Sequence, residues 1–503
     1  MMGHWIIAPV VLPAVMGAFT LLVLRNTLPV ARVFSTAATA LLLAIALRLL
    51  WGATHEGPEV YFLGNWPAPF GIVLVLDRLS ALMVALTAFL ALVVQLYAIG
   101  TGWDTRGRHF HALWQFQLMG VCGAFLTGDA FNLFVFFEVL LIASYGLMIH
   151  GGGKDRLKAG VQYVAYNLVG STLFLFGLAT IYSVTGTLNM ADLAAKLPGL
   201  PEGDAALIRL AGVMLLMVFA IKGALVPLHV WLPATYAQAP GPVSALFAVM
   251  TKVGAYAVIR IYTLVFPTDL PATGTLYADL LLPAALVTMA VGAVGVMGAR
   301  KVQGLVAFTA VTSMGTLFAA VAQFTPGATA AALYYALHST LAAAALFLIA
   351  DLVMARRIDG TLTEARPAIA QQGLIAGLFM AGAIAAAGMP PLSGFLGKLM
   401  ILDATRGLAQ PLIWATILGS SFVVIIGLSR AGSLLFWKSH AAQATPVPHP
   451  AQPLAFVATG ALVAGLVGLT LAAGPVSTWL AETAAELHDP AAYIAANKLG
   501  GEH

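Results

Sequence analysis

The 503-residue chain has very little charge and almost no cysteine. Only 9% of its residues are charged, against about a quarter in soluble globular domains, and 60% are hydrophobic. This composition excludes a soluble domain and indicates an integral membrane protein. The single cysteine, Cys122, excludes an internal disulfide and a CxxC metal or redox pair. No metal or cofactor ligand set is visible, and a net charge of +4 is too small to suggest nucleic acid as a partner.

Apolar runs follow one another almost without interruption from Trp5 to Leu480. Since about 20 apolar residues suffice for a helix to cross a bilayer, we predict one all-α membrane domain, residues 1–503, with about fourteen transmembrane helices. Two predicted helices are too long for one straight span, so a break or a tilt is expected in each. The predicted helices lie at 5–24, 33–51, 76–100, 109–128, 130–149, 160–184, 207–234, 243–266, 276–298, 302–323, 328–355, 368–405, 410–437 and 453–481.

Loops rich in lysine and arginine alternate with loops that have few, and this pattern predicts the orientation of the chain in the membrane. They concentrate in the loops after odd-numbered spans, except at 233–242, which has no charge and suggests a packed or re-entrant turn. By the positive-inside rule these loops face the cytoplasm, so both termini are expected on the outer side of a bacterial inner membrane. The loop cations are Arg25, Arg32, Arg106, Arg108, Lys154, Arg156, Lys158, Arg300, Lys301, Arg356, Arg357, Arg366 and Lys438.

Four charged residues lie near the middle of apolar runs: Glu138, Lys222, Lys252 and Lys398. A lysine at the bilayer centre costs roughly 2.5 to 3.5 kcal/mol on insertion scales, so each is expected to have a partner or water and to mark a functional site. A lysine relays protons at neutral pH only if burial lowers its pKa from about 10.4. His338, with an ordinary pKa near 6.5, suits the same task. The alternatives are a static Glu138–Lys222 ion pair and a hydrogen-bonded core histidine.

Two proline sites are expected to break helices beside two of these lysines. Pro227 follows Lys222 in KGALVPLHVWLP, and Pro390 and Pro391 precede Lys398 in AAAGMPPLSGFLGK. Proline lacks the amide donor and clashes with the carbonyl four residues back. Broken helices at corresponding positions point to an ion site between inverted repeats, whereas kinks that serve packing alone are the alternative. We predict two inverted five-helix repeats, spans 4–8 (109–266) and 9–13 (276–437), after three spans in 5–100 and before a last span at 453–481.

Other polar residues have simpler interpretations. His229, beside the Pro227 break, is expected either to cap a freed carbonyl or to relay protons, and Asp403 is close enough in sequence to approach Lys398. Asp129 is expected to cap the fifth helix. Snorkelling to the interface explains the charged residues near helix ends, which are Asp77, Arg78, Arg260, Asp351 and Arg430.

Four runs of the chain resemble the antiporter-like membrane subunits shared by complex I and the Mrp-type (Pha, Mnh) cation/proton antiporters, most closely the D-type subunits of the Mrp antiporters. The runs are LTGDAFNLFVFFEVLLIASYGL, QYVAYNLVGSTLFLFGLATIYSVTGTLNMADLA, IKGALVPLHVWLPATYAQAPGPVSALFAVMTKVGAYAVIRIY and MPPLSGFLGKLM. The resemblance extends over essentially the whole chain. It implies fourteen spans, inverted five-helix repeats with broken seventh and twelfth helices, and a buried axis formed by Glu138, Lys222, Lys252 and Lys398. Many relatives have a lysine at the position of Ala342, so His338 is expected to bridge the middle of the axis.

The resemblance also implies a function. The chain is expected to be a proton-translocating subunit of a multisubunit Na⁺/H⁺ or K⁺/H⁺ antiporter, acting in the lipid bilayer with the other subunits and without a cofactor. One alternative is a proton-pumping subunit of a redox complex, such as complex I or a membrane-bound hydrogenase, although the chain has no redox motif of its own. A scaffold that transports nothing is the second alternative.

Overall fold

The structure is a computed structural model that describes residues 3–357, 359–407, 409–441 and 449–497. The chain folds as an all-α multi-pass membrane protein with one small β-hairpin, as its composition predicts. The helices are α1 (Ala8–Leu22), α2 (Leu28–His55), α3 (Arg78–Thr101), α4 (Phe110–Leu126), α5 (Ala130–Met148), α6 (Lys154–Thr185), α7 (Met190–Lys196), α8 (Ala205–Gly223), α9 (Trp231–Gln238), α10 (Gly241–Leu264), α11 (Leu276–Gly298), α12 (Val302–Val321), α13 (Pro326–Arg356), α14 (Gln372–Ala387), α15 (Ser393–Ala404), α16 (Gln410–Gly432), α17 (Pro453–Leu471), α18 (Ala473–His488) and α19 (Ala491–Ala496).

Each predicted span has at least one helix at its position. Within the described residues, 11 helices are long and apolar enough to cross a membrane, counting α16 together with the π-helical turn Ser433–Trp437 that continues it. Three more, α1, α4 and α14, have only 15, 17 and 16 residues, fewer than the roughly 20 of a full span. The total of fourteen spans and their division into two inverted repeats therefore stay predictions.

A β-hairpin before α3 was not expected from the sequence. Strands β1 (Glu59–Phe62) and β2 (Val73–Leu76) pair antiparallel, with Glu59 opposite Leu76. The third helix starts at Arg78 because Asp77 and Ser80 form a capping box, in which Ser80 N donates to Asp77 Oδ1 at 2.8 Å and Asp77 N donates to Ser80 Oγ at 2.9 Å. The apolar run before this cap is as hydrophobic as the helix after it, so hydrophobicity alone does not separate them.

The last predicted span, 453–481, is shorter in the structure. Helix α17 ends at Leu471, and α18 continues from Ala473 to His488 in a separate helix. Pro475 in the first turn of α18 has no amide hydrogen to continue the α17 ladder, and the first turn of a helix is where proline is tolerated. Helix α18 packs against α13.

Helix α10 lies at the centre of the bundle. Every residue of α10 after Gly241 is buried, and the helix packs against α3, α8, α12 and α13. Its approach to α8 is close because Gly254 has no side chain: a Cβ there would lie 2.7 Å from the backbone nitrogen of Gly223. The fold thereby places the end of α8 and the middle of α10 next to one another.

Candidate functional site

The predicted break after Lys222 is present. Helix α8 ends one residue after Lys222, where Ala224 adopts the left-handed conformation with φ 54°. Pro227 lies in the interruption, and the chain resumes as α9 at Trp231. The structure therefore places Lys222 in the last turn of a helix that stops inside the apolar part of the chain.

Polar side chains satisfy the backbone groups that this break frees. The indole nitrogen of Trp231 donates to the carbonyl of Ile221 at 2.9 Å, and the amide of Val226 donates to the Thr288 hydroxyl at 2.8 Å. His229 is half-buried, and its ring lies against the backbone of Pro227 in the interruption. Trp231 thus caps the carbonyl of Ile221, and the capping and relay roles suggested for His229 stay predictions.

A second break precedes Lys398. Helix α14 ends at Ala387, Gly388 follows in the left-handed region with φ 77°, and α15 begins at Ser393 after the two prolines. The freed carbonyl of Ala387 accepts a hydrogen bond from Lys398 Nζ at 2.9 Å. A Cβ on Gly388 would lie 2.6 Å from Cδ of Lys398, so the lysine side chain fills the space beside this glycine. Both broken helices thus present a buried lysine at the interruption.

Helix α6 bridges Glu138 and Lys222. The hydroxyl of Ser171 donates to a carboxylate oxygen of Glu138, and Lys222 Nζ donates to Asn167 Oδ1 at 2.9 Å. Asn167 and Ser171 are four residues apart and therefore share one face of α6. Both charged groups lie in the described part of the chain, and they do not come within the 4.0 Å of an ion pair. Two neutral side chains hold them instead, with Nζ 5.4 Å from the centre of the Phe137 ring.

Asp129 fixes the start of the helix that carries Glu138. Its Oδ1 atom accepts from the backbone nitrogen of Asn132 at 2.8 Å, which confirms the predicted cap of α5. Burial raises the pKa of Asp129 to about 6, while hydrogen bonds from the backbone of Asn132 and Phe131 oppose that rise.

Lys252 lies on α10, and among the residues that the structure describes no carboxylate pairs with it. Its Nζ atom is 3.6 Å from the sulfur of Met314, a weak acceptor, and the residue is only 3% exposed. A buried ammonium with so poor a partner is costly unless it is neutral or hydrated. Lys252 is therefore the least satisfied of the three buried lysines.

His338 and Lys398 meet the same break from two sides. His338 Nδ1 lies 2.9 Å from the hydroxyl of Ser393, the first residue of α15. A Cβ on Gly394 would be 2.8 Å from His338 Nε2, so the imidazole packs directly on the backbone of α15. Lys398 Nζ donates to the Ser421 hydroxyl on α16 at 2.8 Å, in addition to the Ala387 carbonyl. The broken helix connects the imidazole and the ammonium.

Two sequence interpretations differ from the structure. Asp403 is 69% exposed and pairs with Arg406 at 2.7 Å, so it does not approach Lys398.

Asp77 and Arg260 do not snorkel: they form a buried ion pair at 2.6 Å, with side chains 9% and 3% exposed. The reason is that Asp77 caps α3 inside the bundle, where the guanidinium on α10 reaches it. Arg78, by contrast, is partly exposed and pairs with Glu482 at 2.6 Å.

The candidate site consists of three lysines, one glutamate, one histidine and neutral polar groups. Within the described ranges, there is no group of three or more His, Cys, Asp or Glu side chains that could hold a metal ion. Neutral acceptors for each lysine, together with one carboxylate and one imidazole, suit the binding and release of protons. Sequence reasoning did not single out Asn167, Ser171, Ser393 or Ser421, although Asn167 and Ser171 form a polar i, i+4 pair in an apolar helix.

Comparison with known proteins gives the family. The family described as "NADH:quinone oxidoreductase/Mrp antiporter, TM" matches residues 127–425. This part of the chain contains Glu138, the three buried lysines and His338. The chain belongs to this family.

Relatives and a solved structure agree with this assignment over nearly the whole chain. A family member from Rhizobium meliloti, named as the D-type subunit of a probable K⁺/H⁺ antiporter, is 39% identical over 97% of this chain and 96% of its own length. The D-type subunit of the Na⁺/H⁺ antiporter of Bacillus subtilis is 37% identical over 98% and 99%. A chain in the structure of the Mrp complex from Dietzia sp. DQ12-45-1b superimposes with a TM-score of 0.88 at 28% identity, covering 98% of this chain and 99% of that one.

Proposed function

We propose that this chain is a proton-translocating subunit of a multisubunit Na⁺/H⁺ or K⁺/H⁺ antiporter in a bacterial inner membrane. The names of the full-length relatives support this proposal. The observation that carries it is a series of protonatable groups inside the bundle, each contacted by a neutral side chain or backbone group, with Lys222, His338 and Lys398 at or beside the two helix breaks. The series runs through Glu138, Lys222, Lys252, His338 and Lys398.

We infer that the contact between α6 and α8 acts as a switch. At Asn167 the Lys222 ammonium has only an amide acceptor, which stabilises its charge less than a carboxylate does. If Lys222 moves toward Glu138, the carboxylate favours the protonated lysine, and if it returns to Asn167, release of the proton becomes easier. Each pKa unit of this difference is worth about 1.4 kcal/mol.

The switch is coupled to the rest of the axis by charge. A proton on Lys252 disfavours a proton on Lys222, because like charges in a low-dielectric interior repel. His338 then connects Lys252 to Lys398 through the break at Ser393 and Ala387. A membrane potential of 100 mV supplies about 2.3 kcal/mol per charge moved, enough to drive such steps.

We propose that the loops after the odd-numbered spans, which contain most of the loop arginines and lysines and are here called the arginine-rich loops, face the cytoplasm, and that both described ends of the chain face outward. The broken helices α8–α9 and α14–α15 would then be equivalent members of two inverted repeats. Their shared features support this layout: each breaks at a proline, and each has a lysine whose amino group contacts a polar group beside the break.

Exchange in everted vesicles that carry the complete set of subunits tests the function. Lys222→Ala and Glu138→Ala are expected to abolish collapse of a pH gradient by Na⁺ or K⁺, because each removes one side of the switch. Co-purification of the other subunits shows that the complex still assembles. Wild-type exchange by both assembled variants would refute the assignment, and a comparison of Na⁺ with K⁺ in wild-type vesicles identifies the cation.

A redox-driven proton pump is the second candidate, because the family is shared with NADH:quinone oxidoreductase. The antiporter is favoured because the relatives that match over almost their full length are named as antiporter subunits. Proton pumping that requires an electron donor and a quinone, with no response to Na⁺ or K⁺, would support the redox complex instead.

A further inference from the structure

A polar cavity of about 550 Å³ opens on the face of the arginine-rich loops, where the ends of α10 and α13 meet. Trp103, Arg106, Arg156, Gly241 and Asp351 are among the residues that line it. The buried axis described above does not include this cavity.

Asp351 is held in this cavity by two neutral donors. Its Oδ2 atom accepts from the Tyr97 hydroxyl at 2.8 Å and from the Trp103 indole nitrogen at 2.9 Å. Its other oxygen points to the start of α10, because a Cβ on Gly241 would lie 2.6 Å from Oδ1. Among the described residues, no lysine, arginine or histidine nitrogen forms an ion pair with this carboxylate within 4.0 Å. Asp351 is thus held by two hydrogen-bond donors that the sequence interpretation did not include.

The two helices that meet at the cavity, α10 and α13, also carry Lys252 and His338 of the buried axis. Gly241 begins α10 eleven residues before Lys252, a rise of about 16 Å, and Asp351 follows His338 on α13 by thirteen residues, about 20 Å. Helices α10 and α13 pack against each other along this distance. The cavity therefore lies at one end of the pair of helices that carries Lys252 and His338.

We propose that Asp351 is the proton-loading carboxylate of a wet inlet that supplies Lys252 and His338 from the arginine-rich face. This inference rests on the proposed function of the axis. The lining suits a proton better than a metal cation, because a hard metal cation is held by several oxygen ligands whereas a proton needs one. In the described part of the chain the cavity has a single carboxylate, and its Oδ2 atom already accepts from Tyr97 and Trp103.

Several groups around Asp351 set the charge that it experiences. No titratable side chain of α10 lines the cavity. The groups that face Asp351 or line the same cavity are Tyr97 of α3, Arg106 after α3, Arg156 of α6, Tyr236 of α9, Arg356 of α13, and His449.

Exchange rates of the assembled complex in everted vesicles, measured across pH, test the inlet. Asp351→Asn keeps an acceptor for Tyr97 and Trp103 but cannot take a proton, so exchange is expected to fall to about a tenth of wild type or less. Asp351→Glu restores a carboxylate and is expected to retain most of the rate with a displaced pH optimum. The control is Asp155→Asn, an exposed carboxylate at the start of α6 near the same face, which is expected to leave rate and pH profile unchanged.

A wild-type rate and pH profile for Asp351→Asn would overturn the proposal. If that variant does not assemble, Asp351→Glu decides: a displaced pH optimum supports the inlet, and an unchanged one refutes it. Lys222→Ala, measured in parallel, separates the two proposals. Loss of exchange by Lys222→Ala with full exchange by Asp351→Asn removes only the inlet, whereas full exchange by both removes the function as well.

Discussion

At the scale of single residues, the site depends on neutral groups as much as on charged ones. Asn167 and Ser171 stand between Glu138 and Lys222, and Ser393 and Ser421 contact His338 and Lys398. A neutral acceptor orients an ammonium without fixing its proton, which a permanent ion pair would do. The buried pair of Asp77 and Arg260 is the contrast, since both its members hold their charge in a full ion pair.

Removal of the bridge on α6 is expected to impair transport. Asn167→Ala takes away the acceptor of Lys222, and a hydrogen bond to a charged group is worth about 1.5–3 kcal/mol. The exchange rate is therefore expected to fall about tenfold or more in vesicles. Thr172→Ala is the control, because that exposed hydroxyl bonds only to the Leu168 carbonyl of its own helix. Equal rates for the two variants would show that the bridge has no part in transport.

The charged members of the site could be predicted from the sequence, whereas their neutral partners could not. A lone lysine in an apolar run raises the free energy of membrane insertion, so its presence in the sequence indicates a function. Serine and asparagine cost less free energy in a membrane helix than a charged residue does, so they occur in many such helices and do not mark a site. The partners here also lie far apart in sequence: Lys222 and Asn167 are 55 residues apart. Only the packing of α6 against α8 brings these two side chains together.

At the scale of elements, the broken helices determine where the lysines lie. The prolines predicted both breaks, because no other residue removes the donor and also clashes with the preceding turn. The hairpin of β1 and β2 and the separation of α17 from α18 were not predicted. The separation of α17 from α18 falls within one apolar stretch, where hydrophobicity does not mark a boundary. Strand β1 lies between predicted spans in a segment with Gly57, Pro58 and Gly64, residues that indicate turns and not a strand.

The second break is expected to be intolerant of a side chain at Gly388. Alanine there must adopt a left-handed conformation, at a cost of roughly 1–2 kcal/mol, and its Cβ would meet Lys398. Gly388→Ala is therefore expected to lower both the melting temperature of the purified complex and its exchange rate. Gly377→Ala, within helix α14 that ends just before Gly388, has no atom within 4 Å of its new Cβ and serves as the control. The same melting temperature and exchange for both variants would contradict this role of the break.

At the scale of the whole molecule, the proposed proton path requires one orientation in the membrane. In a Cys122→Ala background, Gly199→Cys is expected to react with a membrane-impermeant maleimide in intact cells, and Lys301→Cys only in everted vesicles. Both positions are exposed, and Cys122 is buried. The reverse pattern would place the arginine-rich loops, and with them the cavity at Asp351, on the outer side.

The central claim is that protons pass through the middle of this protein, and Lys252 tests it most directly. In the described part of the chain its amino group contacts only the weak acceptor Met314, which gives it little structural role. The measurement is proton flux, followed with a pH-sensitive dye, in liposomes that contain the complete complex with Lys252→Met. Methionine fills a similar volume without a titratable group, so we predict an assembled complex with flux reduced to the level of empty liposomes. Unchanged flux through the assembled Lys252→Met complex would contradict the proposed path and favour a scaffold that transports nothing.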